Sequence, residues 1–442
     1  MHPGKYLSGG LALLTAGLLG GVALHAERDV PYVSDLPAAE AVEIHRYLSD
    51  PVNREKSDPS SLQTRYSWQH MSEFYPTARI ERSGKVRELP REIDRRIEEI
   101  AFVHDGKKET VKEHLERSSV DALLVIRHGK IVYENYRRMR PGDTHIWWSS
   151  GKVIGATMLA ILEEEGKIDT SRPVSAYLPE LRGSVWDEVR VREALDMATG
   201  LDGTEHDEPG HDSRTNPRQI WHRWAVSIGM YPDTTNAEAS PMEIIRSMKR
   251  RHPPYTRFEY NSINTFVINR IVEAVSGMPL HRYFTKRVWS KIGARNDGYV
   301  VVTPREGYGL FYGMMNSTLE DMGKFGMIFT PGAAGILPPK AVERMQIQTE
   351  KGMYDRAFMG RLMTKKFGEK GMANRYQWDA VFEDGDLYKS GFGGQGLYVS
   401  PARDMVVVWF GTGDGSTYEE PMARAIVKFY DSGRTPAPTP GK

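Results

Sequence analysis

Hydrophobic and polar positions follow two different periods along this chain. The switches between them predict where strands give way to helices. Residues 121–136, "DALLVIRHGKIVYENY", hold two apolar, β-branched runs around His-Gly-Lys, the pattern of a β-hairpin. Residues 149–169 change to helical spacing. Val153, Ala156, Leu159, Ala160 and Leu162 make an apolar stripe, and Gly166 supplies the stop. Further helices are predicted over 191–200, 240–250, 264–277, 279–293 and 419–431. The one at 240–250 opens with Ser240 followed by Pro241, a favourable start. Another covers 317–329, with Ser317 and Glu320 spaced as a capping box. Residues 389–413 read as strand, turn, strand. Strands thus lie at both ends of the region 118–432, with helices between them. This predicts an α/β (α+β) fold, an antiparallel sheet covered by helices, with a helical subdomain from roughly 175 to 300.

The first quarter of the chain reads differently. Residues 27–117 are polar and dotted with proline, an extension wrapping the main domain. Within it "SDPVNREKSDPSSLQTRYS" (49–67) reads as loop. "REIDRRIEEIAFVHDG" (91–106) reads as a helix, from Ile93, Ile97 and Ile100 at helical spacing. Residues 1–26 have a short basic start, an apolar stretch rich in glycine and alanine, and then a polar turn. That order predicts a secretory signal cut after Ala26, with an uncleaved membrane anchor as the rival. The expected location is periplasmic or secreted, with membrane contact only through such an anchor. Residues 433–442 read as a disordered tail.

Composition narrows the chemistry. The chain has no cysteine, which excludes disulfides, thiolate catalysis and cysteine-bound zinc. Its formal net charge is +1 and no long basic run occurs, so nothing points to a nucleic-acid partner.

Three stretches carry candidate chemistry. In "IWWSSGKVIG" (146–155), Ser149 precedes Lys152 by three places, and no other lysine has a serine at that spacing. Residues three apart share a helix face, so hydroxyl and amine can meet. Serine is a poor nucleophile until a base takes its proton, and a buried lysine can be that base. The helix start leaves free N–H groups, that of Ser149 among them. In "FEYNSINTF", Tyr260 sits just before a helix with Ser262 two places on. A tyrosine beside a lysine can relay protons as phenol or phenolate. The tripeptide recurs, at Tyr32, Tyr47 and Tyr398 among other places, so its weight comes from its place in the chain. In "YKSGFGGQGLYVSP", Lys389, Ser390 and Gly391 open a run that includes Gly393 and Gly394. Glycines at a strand edge let a substrate lie close, and the Phe392 N–H can face an oxyanion together with that of Ser149. Trp148, beside the nucleophile, is a candidate pocket wall. Trp147, Phe311 and Tyr312 suit a core as well as a pocket. His206, His211, Glu205, Asp207, Glu208 and Asp212 gather in "GLDGTEHDEPGHD", read as a polar loop at the cleft rim rather than a metal centre.

In this order, "SSGK", "YNS" and "KSG" resemble the motifs shared by penicillin-binding proteins and serine β-lactamases. The region 118–432 is similar to the class C β-lactamase-like branch, and within it to esterase and 6-aminohexanoate-dimer hydrolase-like members. The phrases "LEEEGKID", "REALDMATGLDG" and "GFGGQGLYVSP" add to the likeness. The resemblance implies an acyl-enzyme on Ser149, with Lys152 and Tyr260 moving protons and the N–H groups of Ser149 and Phe392 holding the oxyanion. Ser262, Lys389, Ser390, Gly391, Gly393, Gly394 and Trp148 would contact substrate. It implies a small-molecule ester or amide and no metal or organic cofactor. Ser262 stands where β-lactamases carry asparagine, and Phe392-Gly393-Gly394-Gln395 departs from the usual glycine-rich run, which disfavours efficient β-lactam hydrolysis. Two alternatives stay open. One is a D,D-peptidase or β-lactamase that uses Lys389 to bind a carboxylate. The other is a non-catalytic binding protein on the same fold.

Overall fold

The computed structural model describes residues 32–233, 239–333 and 335–432. The expected signal or anchor (1–26) and the tail (433–442) lie outside the described residues. No helix among the described residues is long and apolar enough to cross a membrane.

A seven-stranded antiparallel sheet is the frame. Its order is Lys130–Tyr136, Val120–Arg127, Met405–Gly411, Gln395–Ser400, Leu387–Gly391, Trp378–Val381 and Ala373–Arg375. Strands far apart in sequence therefore pair side by side, Val120–Arg127 with Met405–Gly411, with Leu124 opposite Val408. Successive residues of each strand face opposite sides. Leu124, Ile126, Val406, Val408 and Leu397 join one core, and Leu123, Val125, Val407, Trp409 and Tyr398 join another. Helices cover both faces, as strands with no polar face require. Leu319–Gly326 packs on the first, in the same core as Lys152–Glu164 and the Ser262–Ser276 helix that packs against it, and Phe358–Phe367 and Glu420–Phe429 pack on the second. Each apolar side chain so buried contributes about 1.5–3 kcal/mol.

The expected helices form, most with shorter cores, while the one expected at 264–277 starts two residues earlier. They are Val191–Leu195, Pro241–Arg246 with the Ser240 cap, and Ser262–Ser276 ended by Gly277. The 279–293 stretch divides into Leu280–Phe284 and a π turn over Thr285–Trp289. The 317–329 helix begins one residue late. Ser317 ends a short strand paired to His145, so Thr318 is the cap and accepts from the Asp321 N–H. The 389–413 stretch supplies three strands rather than two.

The extension is where the sequence reading fails. The helix expected at 91–106 is a 3-10 turn, Arg95–Glu99, followed by a hairpin of Ala101–His104 with Lys107–Thr110. Asp105-Gly106 is a hairpin turn dipeptide, and both residues have positive φ, 50° and 77°. Turn chemistry outweighs the three isoleucines, and Ile93 ends up 43% exposed. The 49–67 loop is instead two helices, Pro51–Lys56 and Leu62–Gln69. Asp50 and Ser61 cap them by accepting main-chain N–H groups. The extension also donates a strand, Thr77–Ile80, to a second sheet beside Gly298–Val301.

Candidate active site

Ser149 lies on a 3-10 turn, Trp148–Gly151, that runs straight into the helix Lys152–Glu164. In such a turn residues i and i+3 eclipse, which brings the Lys152 Nζ to 3.0 Å from the Ser149 Oγ. The turn is fixed from below. Trp147 is buried, takes the Met315 carbonyl with its N–H, and donates its indole N–H to the Ser317 Oγ at 2.9 Å. Trp148 has φ 44°, a left-handed conformation that costs a non-glycine residue about 1–3 kcal/mol. That strain sits one residue before the candidate nucleophile.

Lys152 is fully buried. Its amine donates to the Tyr312 carbonyl at 2.7 Å and lies 5.1 Å from the centre of the Tyr260 ring. Burial pulls its pKa down to about 7, and the Lys389 cation pushes the same way, against the attraction of Glu205. A large share of Lys152 is therefore neutral at neutral pH.

Tyr260 and Lys389 complete the floor. The Lys389 Nζ donates to the Tyr260 hydroxyl at 3.1 Å. Burial raises the Tyr260 pKa well above its ordinary value, and Asp379 and Glu205 add to the effect, while a hydrogen bond with Ser149 opposes it. Of the two forms open from sequence, Tyr260 is the neutral phenol. The Leu387–Gly391 strand touches the nucleophile turn directly, since the Ser150 Oγ donates to the Lys389 carbonyl at 3.2 Å. Gly391 allows this approach, because a Cβ there would lie 2.6 Å from the Trp147 carbonyl.

Several residues expected to meet substrate are engaged inside the protein. Lys389 is fully buried and bonded to Asp379, so it is not a free cation waiting for a substrate carboxylate. The Ser390 hydroxyl and N–H also go to Asp379, at 2.5 and 3.0 Å. Ser262 lines the cleft, but its hydroxyl is donated to Glu205. The Gly394 N–H turns back to the Gly391 carbonyl, and Gly393 lies against Trp68. Trp148 and Phe392 do line the cavity beside Ser149.

The loop 203–212 is not simply a rim. Glu205 is buried and lines the cleft. Burial alone would raise its pKa, but Lys152 and Arg214 outweigh that and hold it at about 2. Arg214 donates to it at 2.8 Å. His206 is driven by burial to about 4 and stacks neutral on Phe358. Glu208 binds Thr204 and Arg251, Asp212 binds Asn216 and Gln219, Asp207 faces the Phe358 N–H, and exposed His211 bonds the His206 carbonyl. Among the described residues no group of three or more histidines and acids is arranged to hold a metal.

Asp379 is a site residue that sequence reasoning missed, and from sequence Glu205 is only one acid of the polar rim. Asp379 had a signal: a lone acid inside the apolar run "WDAV" must find a buried partner. Glu205 sat in a turn-rich stretch among other acids and had none. Its charge has a measurable consequence. Glu205→Gln removes the anion that favours the Lys152 ammonium, so the acid limb of the pH–rate profile moves to lower pH. An unmoved limb contradicts this placement.

The Beta-lactamase family model matches residues 108–430. A 6-aminohexanoate-dimer hydrolase from Paenarthrobacter ureafaciens is 28% identical over 353 residues, which are 78% of this chain and 84% of that protein. Among solved structures, the "Putative 6-aminohexanoate-dimer hydrolase from Bacillus anthracis" superposes with a TM-score of 0.70 at 21% identity. It covers 86% of this chain and 98% of its own. A class C beta-lactamase gives 0.51 at 16% identity, over 74% of this chain and 95% of its own. The antiparallel sheet with helices on both faces agrees with this match along most of the length: the chain belongs to the Beta-lactamase family of hydrolases.

Proposed function

We propose that this protein is an exported serine hydrolase that cleaves small esters or amides through an acyl-enzyme on Ser149. The observation that carries the reading is a buried amine, 3.0 Å from a hydroxyl, with a pKa of about 7. A general base works best with its pKa near the operating pH. The Ser149 Oγ bonds to the substrate carbonyl carbon while its proton passes to the Lys152 Nζ. The N–H groups of Ser149 and Phe392 receive the oxyanion, a contribution of about 10²–10³ in turnover for each donor. The carbon–leaving-group bond then breaks, and the leaving group takes a proton through the Tyr260 phenol. Lys389, held on Asp379, keeps that phenol oriented. Water adds to the acyl carbon by the same proton route in reverse, and the Ser149 ester bond breaks to release the acid.

The name of the Paenarthrobacter relative makes the 6-aminohexanoate dimer the first amide to test. The commitment of Lys389 to Asp379 removes the feature that favoured a D,D-peptidase. Export rests on the order of basic, apolar and polar residues in 1–26. A panel of p-nitrophenyl esters, linear amides, D-amino-acid peptides and nitrocefin tests the reading. Product from esters or linear amides well beyond one equivalent per protein is expected, with nitrocefin slow. Release that stops at one equivalent for every compound contradicts it and supports the binding-protein alternative.

A further inference from the structure

The cleft has a wall that the family match does not include. Trp68 lies on the Leu62–Gln69 helix, ahead of residue 108 where the match begins. Its ring meets Trp148 edge-on at 5.4 Å and Phe392 at 5.9 Å, and those two rings meet each other at 5.7 Å. Trp148 precedes Ser149 in sequence, and Phe392 carries the proposed oxyanion N–H. All three rings and Ser149 line one cavity.

The rest of the protein is shaped to hold Trp68 there. Gly393 has φ 77°, and a Cβ on it would lie 2.2 Å from the Trp68 ring. Arg65, one turn earlier on the helix, reaches to 3.8 Å from the buried Asp121. The Gln69 carbonyl accepts from the Thr144 hydroxyl at 3.0 Å, just before the strand that leads to Trp147 and Trp148. Trp68 itself is 6% exposed. The cleft, open on one side, has a volume of about 220 Å³, below the roughly 300–1,000 Å³ typical of drug-sized ligand sites.

We propose that Trp68 is a specificity-determining residue, a wall beside Phe392 that restricts the cleft to substrates with a compact acyl group. The proposal rests on the hydrolase reading above, since it places the acyl group against Ser149. A constant p-nitrophenol leaving group isolates the acyl side. The experiment compares kcat/KM for p-nitrophenyl decanoate and acetate in the full chain. Trp68→Ala is expected to raise the decanoate-to-acetate ratio at least tenfold, and Trp68→Phe, which keeps a ring there, to raise it less. Labelling of Ser149 by a small fluorophosphonate reports that the site is intact. If Trp68→Ala loses that labelling, Trp68→Leu is read by the same ratio. A ratio within twofold of wild type in a variant that still labels overturns the proposal. Equal loss on both esters does so as well, since that is a structural role. Full ester turnover in Ser149→Ala overturns the hydrolase reading instead, and the two failures are distinct.

Discussion

Ser149→Ala is expected to lower turnover of p-nitrophenyl butyrate by at least about 10⁴-fold, as removal of a nucleophile does in serine hydrolases. The neighbouring hydroxyl does not replace it: the Ser150 Oγ is buried and donated to the Lys389 carbonyl. The fold should survive. Ser149 is only partly buried, and its Oγ contacts Lys152 and Tyr260 rather than any structural carbonyl. One lost hydrogen bond of this kind costs about 1 kcal/mol, so circular dichroism should show the wild-type spectrum and nearly the same melting temperature. A variant that keeps more than a few per cent of turnover would remove Ser149 from the mechanism.

Lys152→Met should be almost as damaging. Loss of a positioned general base typically costs about 10²–10⁴ in rate. Methionine keeps much of the side-chain length, so the loss reads the amine rather than a cavity. Stability receives two opposed contributions. The Tyr312 carbonyl loses its donor at 2.7 Å, an unsatisfied buried acceptor worth about 1–3 kcal/mol. Against that, a buried amine is no longer held away from water. Fluorophosphonate labelling of Ser149 separates chemistry from folding. It should slow in step with turnover in Lys152→Met while the melting temperature stays within a few degrees. Turnover that falls while labelling keeps the wild-type rate would assign the amine to a later step.

Elements whose own residues specify them were legible. The hairpin at 121–136 and the helices starting at Lys152, Pro241 and Ser262 follow from periodicity and caps within a few residues. The motifs fixed which side chains deserved attention, because a three-residue spacing survives the change from α-helix to 3-10 turn at Ser149. What escaped depends on distant partners. Asp379 meets Lys389 only because two neighbouring strands pair, Ala380 opposite Tyr388. Glu205 reaches Tyr260 and Ser262 through a loop whose path has no period: its N–H bonds the Tyr260 carbonyl from 55 residues away in sequence. The extension misled for a local reason. Asp105-Gly106 and the caps at Asp50 and Ser61 are short signals, outvoted over a long window by isoleucine spacing in one place and polarity in the other. That misreading hid Trp68 as a lining residue of the cleft.

The most direct test of the account is the pH dependence of Ser149 labelling in the wild-type protein. If a neutral Lys152 activates Ser149, the second-order rate of phosphonylation rises about tenfold per pH unit on the acid side and levels off above about 7. The same limb should be missing from Lys152→Met. A rate that stays flat from about pH 5.5 to 9, or a limb that persists unchanged without the amine, contradicts the claim.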